Sequence, residues 1–156
     1  MTKFESKVVL VTGSTRGLGE QIAKDFAKNG AKVVVTGRDS ALVDAVVAEC
    51  SSLSPCGVEA IGFPADVTKI DQIKDLVCKV VEQCGKLDIL INNAGAGVFG
   101  SIEDDDIIEK FDKMINLNLK SVVAFINASL PHLKETGGNI VNMTSIVASR
   151  AVSIFF

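Results

Sequence analysis

The amino-acid sequence predicts an α/β protein with one doubly wound, parallel sheet and helices on both faces. Short runs rich in valine and isoleucine alternate with stretches of helical periodicity, which is the pattern of a parallel sheet joined by crossover helices. The apolar runs are continuous, as expected for strands buried on both faces. The chain has 156 residues, is 47% hydrophobic and carries a net charge of −3, which fits a single domain over residues 1–156.

Five strands and the helices between them can be placed in order. The predicted strands cover residues 7–12, 31–36, 58–66, 87–92 and 139–144. The first helix presents Ile22, Ala23, Phe26 and Ala27 on one face and stops at Asn29-Gly30. The second helix begins at Asp39 or Ser40, either of which is a good N-cap, and runs to about residue 53.

The third and fourth helical segments follow the same logic. Thr68 is predicted to cap the third helix, whose apolar face carries Ile73 and Val77. A long helical stretch covers residues 104–133 and is expected to break or kink near Asp112. The acidic run 103–106 lies at the start of this stretch, where acids complement the helix dipole, so no metal site is predicted.

Composition excludes several classes of function. The 16 basic residues are scattered, so the chain has no electrostatic footprint for nucleic acid. No segment is apolar over the roughly 20 residues that a bilayer span needs, and the start MTKFESK lacks a signal-peptide core. The protein is therefore expected to be cytoplasmic. The four cysteines form no C-x-x-C pair and are interpreted as ordinary thiols.

The turn after the first strand, TGSTRGLG, carries the chemical signal. Gly13, Gly17 and Gly19 stand between a predicted strand and a predicted helix. Glycines there allow a sharp turn, a close approach of a diphosphate to the backbone, and tight packing of the helix on the sheet. The helix then directs its N–H groups and its positive end at the phosphates. This arrangement predicts a Rossmann-type nucleotide site.

The end of the second strand indicates which dinucleotide is bound. An acid there would bind a ribose 2′-hydroxyl, whereas a base would bind a 2′-phosphate. The strand ends in Thr36-Gly37-Arg38, and Arg38 can pair with phosphate while Arg16 of the glycine loop closes from the other side. NADP is therefore favoured over NAD. The alternative is that Arg38 is a solvated turn residue and Asp39 is the ribose acid.

Five segments together resemble the short-chain dehydrogenases/reductases, from residue 7 to about residue 145. These segments are TGSTRGLG at 12–19, ADVT at 65–68, NNAG at 92–95, NLNLKS at 116–121 and GGNIVNMTS at 137–145. The resemblance implies hydride transfer between a nicotinamide and a small-molecule carbonyl or secondary alcohol. It also implies that the chain supplies five of the seven strands usual in this family.

The resemblance assigns roles to individual positions. Ser14, Thr15, Arg16 and Leu18 would line the pyrophosphate and ribose, Asp66 and Val67 the adenine, and Asn93, Ala94 and Gly95 the cofactor ribose. Asn92 would tie the central strands together. The backbone of Asn118 would hold a proton-relay water, and Ser145 would bind the substrate oxygen. From the residues alone, Asn118 could equally lie on a helix surface and Ser145 could be a strand-end cap.

One functional group of the family is missing from this sequence. Its members use a tyrosine beyond the serine, activated by a nearby lysine, to transfer the proton. The chain contains no tyrosine, and no lysine follows Ser145. We therefore expect a C-terminally incomplete enzyme that is inactive as given. The alternatives are a truncated, non-catalytic partner of full-length subunits and a free-standing nucleotide-binding module.

The sequence also predicts association and an exposed sheet edge. The long helical stretch is apolar on more than one face, and in the family this region forms subunit contacts, so a homo-oligomer or association with full-length subunits is expected. Packing of that helix on the sheet explains part of the pattern equally well. The fifth strand would be a sheet edge, and the terminal SIFF an exposed apolar tail.

Overall fold

The protein folds as a single parallel sheet in the computed structural model, which describes residues 2–146. The strands are β1 (Val8–Val11), β2 (Lys32–Gly37), β3 (Ile61–Pro64), β4 (Ile89–Asn92) and β5 (Asn139–Asn142). Their order is β3-β2-β1-β4-β5, and every neighbouring pair is parallel. The prediction of a doubly wound α/β fold is thereby confirmed.

Helices cover both faces of this sheet. They are α1 (Gly17–Lys28), α2 (Ser40–Leu53), α3 (Ile70–Cys84), α4 (Ile107–Ile115) and α5 (Ser121–Thr136), with a π-helical segment (Asn116–Lys120) joining the last two. The predicted cap of α2 is confirmed, because the Asp39 carboxylate accepts the N–H groups of Ala41 and Leu42. No helix within residues 2–146 is long and apolar enough to cross a membrane.

The sheet separates two hydrophobic cores, because successive strand residues face opposite sides. Val9 and Val33 face the core under α1 and α2, where Ala23 and Ala27 allow close packing of α1. Leu10 and Val34 face the other core, whose members include Phe125, the largest fully buried side chain among the described residues. Burying each such side chain contributes about 1.5–3 kcal/mol, so the two cores fix the sheet and the loops that leave it.

The third strand is shorter than the predicted range of residues 58–66. β3 begins only at Ile61, because Ser51 of α2 and Ser54, the residue directly after α2, bind the preceding backbone. The hydroxyl of Ser54 accepts the N–H of Val58 at 3.0 Å, and that of Ser51 accepts the N–H of Ala60 at 3.0 Å. Side chains at the end of α2 and just beyond it thus bind this segment in place of a neighbouring strand.

The predicted Thr68 cap is wrong. The third helix begins at Ile70, and the residue at its N-cap is Lys69, whose side chain makes no capping bond. The Thr68 hydroxyl instead donates to the carboxylate of Asp66 at 2.8 Å. Asp66 lies only two residues away, so the Thr68 hydroxyl bonds within this local turn and not to the backbone N–H groups at the start of the helix.

The irregularity in the long helical stretch lies beyond Asp112. That residue belongs to the regular helix α4, and the π-helical segment begins four residues later, at Asn116. The expectation of a break near Asp112 is therefore corrected. A π turn widens the helix locally, and such turns occur often at functional sites.

The fifth strand lies at one end of the sheet. Among the described strands it pairs only with β4. Its Val141 and the following Met143 are partly exposed, which agrees with the predicted sheet edge. The terminal SIFF segment lies outside the described residues.

Candidate functional site

The loops that leave β1, β2, β3 and β4 meet at the carboxyl edge of the sheet. From β1 the chain builds β2 and β3 on one side, and it then crosses to place β4 and β5 on the other. The chain therefore leaves β1 and β4 towards opposite sides of the sheet, and we refer to the surface between these two connections as the crevice. Ligands of open α/β sheets bind at such a point, where the strand order reverses.

The glycine loop packs closely against the chain after β4. A Cβ built on Gly13 would lie 2.9 Å from the Cα of Ala94, and one built on Gly19 would lie 2.3 Å from both the carbonyl oxygen of Gly13 and the Nδ2 of Asn93. Gly17 has φ +58°, a left-handed conformation that glycine adopts without strain. Any side chain at Gly13 or Gly19 would force the two loops apart.

The amino end of α1 offers backbone donors to an anion. Its N-cap residue Arg16 is extended and makes no side-chain capping bond. Arg16 and Leu18 are exposed, and Thr15 is half-buried against Gly37. The N–H groups of the first helical turn thus face the crevice without a capping side chain, which is the arrangement that binds a diphosphate. The residues present fit the phosphates of a dinucleotide.

Ser14 lies underneath the glycine loop. It is fully buried, and its hydroxyl donates to the carbonyl of Val11 at 2.8 Å and accepts the N–H of Thr36 at 2.9 Å. The Ser14 N–H also donates to the carbonyl of Thr36 at 3.0 Å. The structure thus commits the Ser14 side chain to the backbone of β1 and β2.

Arg38 is exposed directly after β2. Asp39, the alternative ribose ligand, uses one carboxylate oxygen for both N–H groups at the start of α2. The structure gives Asp39 the role of a helix cap. Arg38 is therefore the charged side chain after β2 that is not engaged in capping.

Asp66 closes a turn at the carboxyl end of β3. One of its carboxylate oxygens accepts the backbone N–H of Thr68 at 2.9 Å as well as the hydroxyl of Thr68. Its own N–H donates to the side-chain oxygen of Gln72 at 2.7 Å. The Thr68 N–H is the main cause of a lowered pKa of the Asp66 carboxyl; burial opposes it, and the positive charge of Arg38 adds to it. Asp66 is therefore ionised at neutral pH, while Val67 beside it is buried.

The chain after β4 is bound to the end of β1. The Thr12 hydroxyl oxygen accepts the N–H groups of Asn93 and Ala94, both at 2.9 Å. The side-chain amide of Asn93 donates to the carbonyls of Thr12 and Gly13. The two sides of the crevice are therefore one hydrogen-bonded unit, and Gly95 follows as an exposed residue.

Asn92 joins the two strands at the open end of the sheet. It is buried, and its amide donates to the side-chain oxygen of Asn142 at 2.8 Å. Asn92 thus links β4 to β5, and Ser145 lies exposed three residues after Asn142. Asn92 is the last residue of β4 and Ser145 follows β5, so both lie at the sheet edge that carries the glycine loop.

Asn118 projects from the π-helical segment to the loop after β4. Its side-chain oxygen accepts the N–H of Ala96 at 3.0 Å, and its side-chain amide donates to the carbonyl of Ala96 at 2.9 Å. The pair of bonds imitates the pairing of two peptide groups. It holds the loop that the resemblance places against the cofactor ribose.

Replacement of Asn118 tests this clamp. In Asn118→Leu both bonds to Ala96 are lost, so we expect amide exchange at Ala96 to accelerate about tenfold while the core strands keep their protection. Asn118→Asp is the matched control, because it retains the acceptor for the Ala96 N–H. Equal exchange rates in Asn118→Leu and the wild type would contradict the clamp. Hydrogen exchange followed by NMR gives the measurement.

Comparison with known proteins identifies the family. The family model described as short chain dehydrogenase matches residues 7–155. The chain belongs to the short-chain dehydrogenases/reductases. This short-chain dehydrogenase/reductase is 40% identical over 148 residues to an uncharacterised oxidoreductase of Methylorubrum extorquens, covering 94% of this chain and 58% of that protein. It is 32% identical over 149 residues to an L-fucose dehydrogenase of Mus musculus, covering 96% and 52%.

Solved short-chain dehydrogenase/reductase structures match the fold. A 7α-hydroxysteroid dehydrogenase in complex with NADH and 7-oxo glycochenodeoxycholic acid superposes with a TM-score of 0.88 at 29% identity, covering 96% of this chain and 57% of that one. An alcohol dehydrogenase of Thermococcus sibiricus in complex with 5-hydroxy-NADP gives 0.88 at 33% identity, covering 96% and 62%. The chain thus spans little more than half the length of these relatives.

Two threonines of this family member were missed by sequence reasoning. The Thr12 hydroxyl holds the chain after β4. The Thr36 hydroxyl donates to the carbonyl of Phe63 in β3, while the Thr36 backbone binds Ser14. A signal for both exists in the sequence, since each is the polar end of a valine-rich run and each precedes a glycine. A hydroxyl at the buried end of a strand must find a partner.

Proposed function

We propose that this short-chain dehydrogenase/reductase binds NADP in preference to NAD and serves the interconversion of a carbonyl compound and a secondary alcohol. The observation that carries the cofactor preference is the pair of exposed arginines, Arg16 and Arg38, on adjacent loops at the carboxyl edge. Capping of α2 by Asp39 supports it, because the competing acid is engaged. Arginine recognises phosphate by charge-assisted, bidentate hydrogen bonds.

The rest of the site would hold the cofactor as follows. The amino end of α1 and the glycine loop would bind the diphosphate, and Ser14 would support that loop from inside. Asp66 and Val67 would border the adenine, and the Asn93–Gly95 backbone would border the ribose. A bound NADPH supplies the hydride. The protein then supplies orientation, with Ser145 directed at the substrate oxygen and Asn118 holding the loop beside it.

The cofactor preference is tested at Arg38. In Arg38→Asp we expect NADPH affinity to fall by the equivalent of about 1.5–3 kcal/mol, the value of a charged hydrogen bond, and NADH affinity to change much less. Lys134→Asp, in the last turn of α5, is the control for charge reversal away from the crevice. Calorimetric titration with each cofactor gives the comparison. Equal losses for NADPH and NADH would show that Arg38 does not bind the 2′-phosphate.

We propose further that the 156 residues bind the cofactor weakly and turn over little substrate by themselves. The sequence has no tyrosine to exchange a proton with the substrate oxygen. The direct assay follows NADPH oxidation in the presence of aldehydes and ketones. Turnover at the ordinary enzymatic rates of about 1–1,000 per second would refute this part of the proposal.

A second candidate function is association with longer chains of the same family. It is favoured by exposed apolar side chains along α4, the π-helical segment and α5. These are Ile108, Phe111, Ile115, Leu119 and Val123. A continuous apolar surface of this kind marks protein contacts. The test is co-expression with a full-length relative, followed by size-exclusion chromatography. The two chains should elute together if this surface binds the relative, and elution in separate peaks would contradict the association.

A further inference from the structure

A polar connection replaces the strand ladder at the end of β2. β1 ends at Val11, and Gly13 turns the chain away from the sheet. Ser14 nevertheless bonds to Thr36 as a strand residue would. Its N–H donates to the Thr36 carbonyl at 3.0 Å, and its hydroxyl accepts the Thr36 N–H at 2.9 Å. A side-chain oxygen stands where a ladder carbonyl would be.

The same connection continues into β3. The Thr36 hydroxyl donates to the carbonyl of Phe63 at 2.7 Å, and Phe63 is the register partner of Thr36. Ser14 and Thr36 are each 0% exposed. We refer to the hydroxyls of Ser14 and Thr36 as the hydroxyl relay. It joins the carboxyl ends of three adjacent strands in an environment that water does not reach.

The relay stands at the base of both arginine-bearing loops. Arg16 lies two residues after Ser14, and Arg38 lies two residues after Thr36. Gly37, between Thr36 and Arg38, packs so closely that a Cβ would lie 2.6 Å from the Cγ2 of Thr15. The segments from Ser14 to Arg16 and from Thr36 to Arg38 are therefore short, and they pack closely against each other. The bonds from Ser14 to Thr36 and from Thr36 to Phe63 therefore hold the backbone from which both arginines extend.

We infer that the hydroxyl relay is a specificity-determining support, which positions Arg16 and Arg38 to bind the 2′-phosphate together. Ser14 and Thr36 are thus positioning residues, and the inference rests on the proposed preference for NADP. Without a relay hydroxyl, a buried backbone N–H or carbonyl loses its partner, and the strand end shifts to recover one. Such a shift weakens phosphate binding more than adenosine binding.

The test compares adenosine 2′,5′-bisphosphate with adenosine 5′-monophosphate. Each is titrated into the purified chain, and the ratio of the two dissociation constants isolates the 2′-phosphate. Thr36→Val removes the hydroxyl at nearly constant volume, and we expect it to lower the preference for the bisphosphate about fivefold. Thr36→Ser keeps the hydroxyl and is expected to keep the preference. Ser14→Ala provides a second variant with the expected behaviour of Thr36→Val.

A multiple-variant comparison separates positioning from general loss of structure. In an Arg16→Ala, Arg38→Ala background, Thr36→Val should lower the preference no further, because its effect passes through these two arginines. An unchanged preference in folded Thr36→Val would overturn the inference alone. A wild type without preference for the bisphosphate would overturn the proposed NADP specificity, and the inference with it. Unfolding of both Thr36→Val and Ser14→Ala would also overturn it, since the relay would then support the fold as a whole.

Discussion

Gly19→Ala is expected to abolish nucleotide binding and to lower the free energy of unfolding by about 3 kcal/mol, the upper range for an overpacked site. The added methyl would lie 2.3 Å from the Gly13 carbonyl oxygen and 2.3 Å from the Asn93 Nδ2. Neither neighbour can move without breaking the bond between them, because Asn93 donates to that carbonyl at 3.2 Å. The two sides of the crevice would separate. Chemical denaturation and cofactor titration measure the two effects.

Gly85→Ala is the control for this prediction. Gly85 follows α3 with φ +75°, and a Cβ there would meet nothing within 4 Å. The substitution should cost about 1–2 kcal/mol through backbone strain alone and leave nucleotide binding unchanged. Nucleotide binding by Gly19→Ala at wild-type affinity would show that the close approach of the two loops does not form the site.

Asp88→Leu is expected to lower the free energy of unfolding by about 3 kcal/mol, since it removes charge-assisted bonds and leaves a buried donor without an acceptor. The Asp88 side chain is 2% exposed. It accepts the backbone N–H of Val8 at 2.9 Å, and it pairs with the ammonium groups of Lys7 at 2.9 Å and Lys86 at 3.0 Å. It thus joins the amino ends of β1 and β4, far from the crevice.

The control for Asp88 is the exposed acid Asp25. Its ion pair with Lys28 is 3.7 Å long and lies on the surface, so Asp25→Leu should cost less than about 1 kcal/mol. Urea denaturation at pH 7 gives both values. Similar losses for the two variants would contradict a special role of the buried carboxylate.

The contribution of Asp88 should also depend on pH. Burial alone would raise the pKa of its carboxyl, but the Val8 N–H and the two lysines outweigh burial and hold the pKa below its ordinary value of 3.8. The unfolded chain therefore takes up this proton at a higher pH than the folded chain. The stabilisation is fully present above pH 3.8 and is lost as the pH falls through the folded pKa. The difference between wild type and Asp88→Leu should shrink accordingly in urea titrations at acidic pH.

Most of the fold can be predicted from the sequence, because hydrophobic periodicity indicates the strands and helices, and glycines indicate the turns. Valine-rich runs mark the strands, and the stop at Asn29-Gly30 marks the end of α1, where Gly30 has φ +88°. The glycine loop is equally readable, since only residues without side chains fit where Gly13 and Gly19 lie. These features depend on local chemistry or on the hydrophobic pattern, and both can be read directly from the amino-acid sequence.

The features that the sequence does not predict arise where a polar side chain has several possible partners. Ser51 shortens β3 from outside the sheet, and Thr68 turns to Asp66 instead of the third helix. Ser14 is drawn under its loop by β2, which lies 22 residues away in sequence. The π-helical segment around Asn118 is tied to Ala96, also 22 residues away. Contacts between distant segments decide the positions of Ser14 and Asn118, and no local pattern contains them.

The strand order has a consequence for the entropy of closing the chain. β2 pairs with β1 after one crossover, whereas the bond between Val8 and Asp88 joins residues 80 positions apart. Closing a longer loop costs more chain entropy, and contacts of large sequence separation slow folding. Assembly of the half of the crevice formed by β1, β2 and β3 therefore loses less chain entropy than assembly of the half that carries Asn93. The hydroxyl of Thr12, which receives the later segment, belongs to the half that closes with the smaller entropic cost.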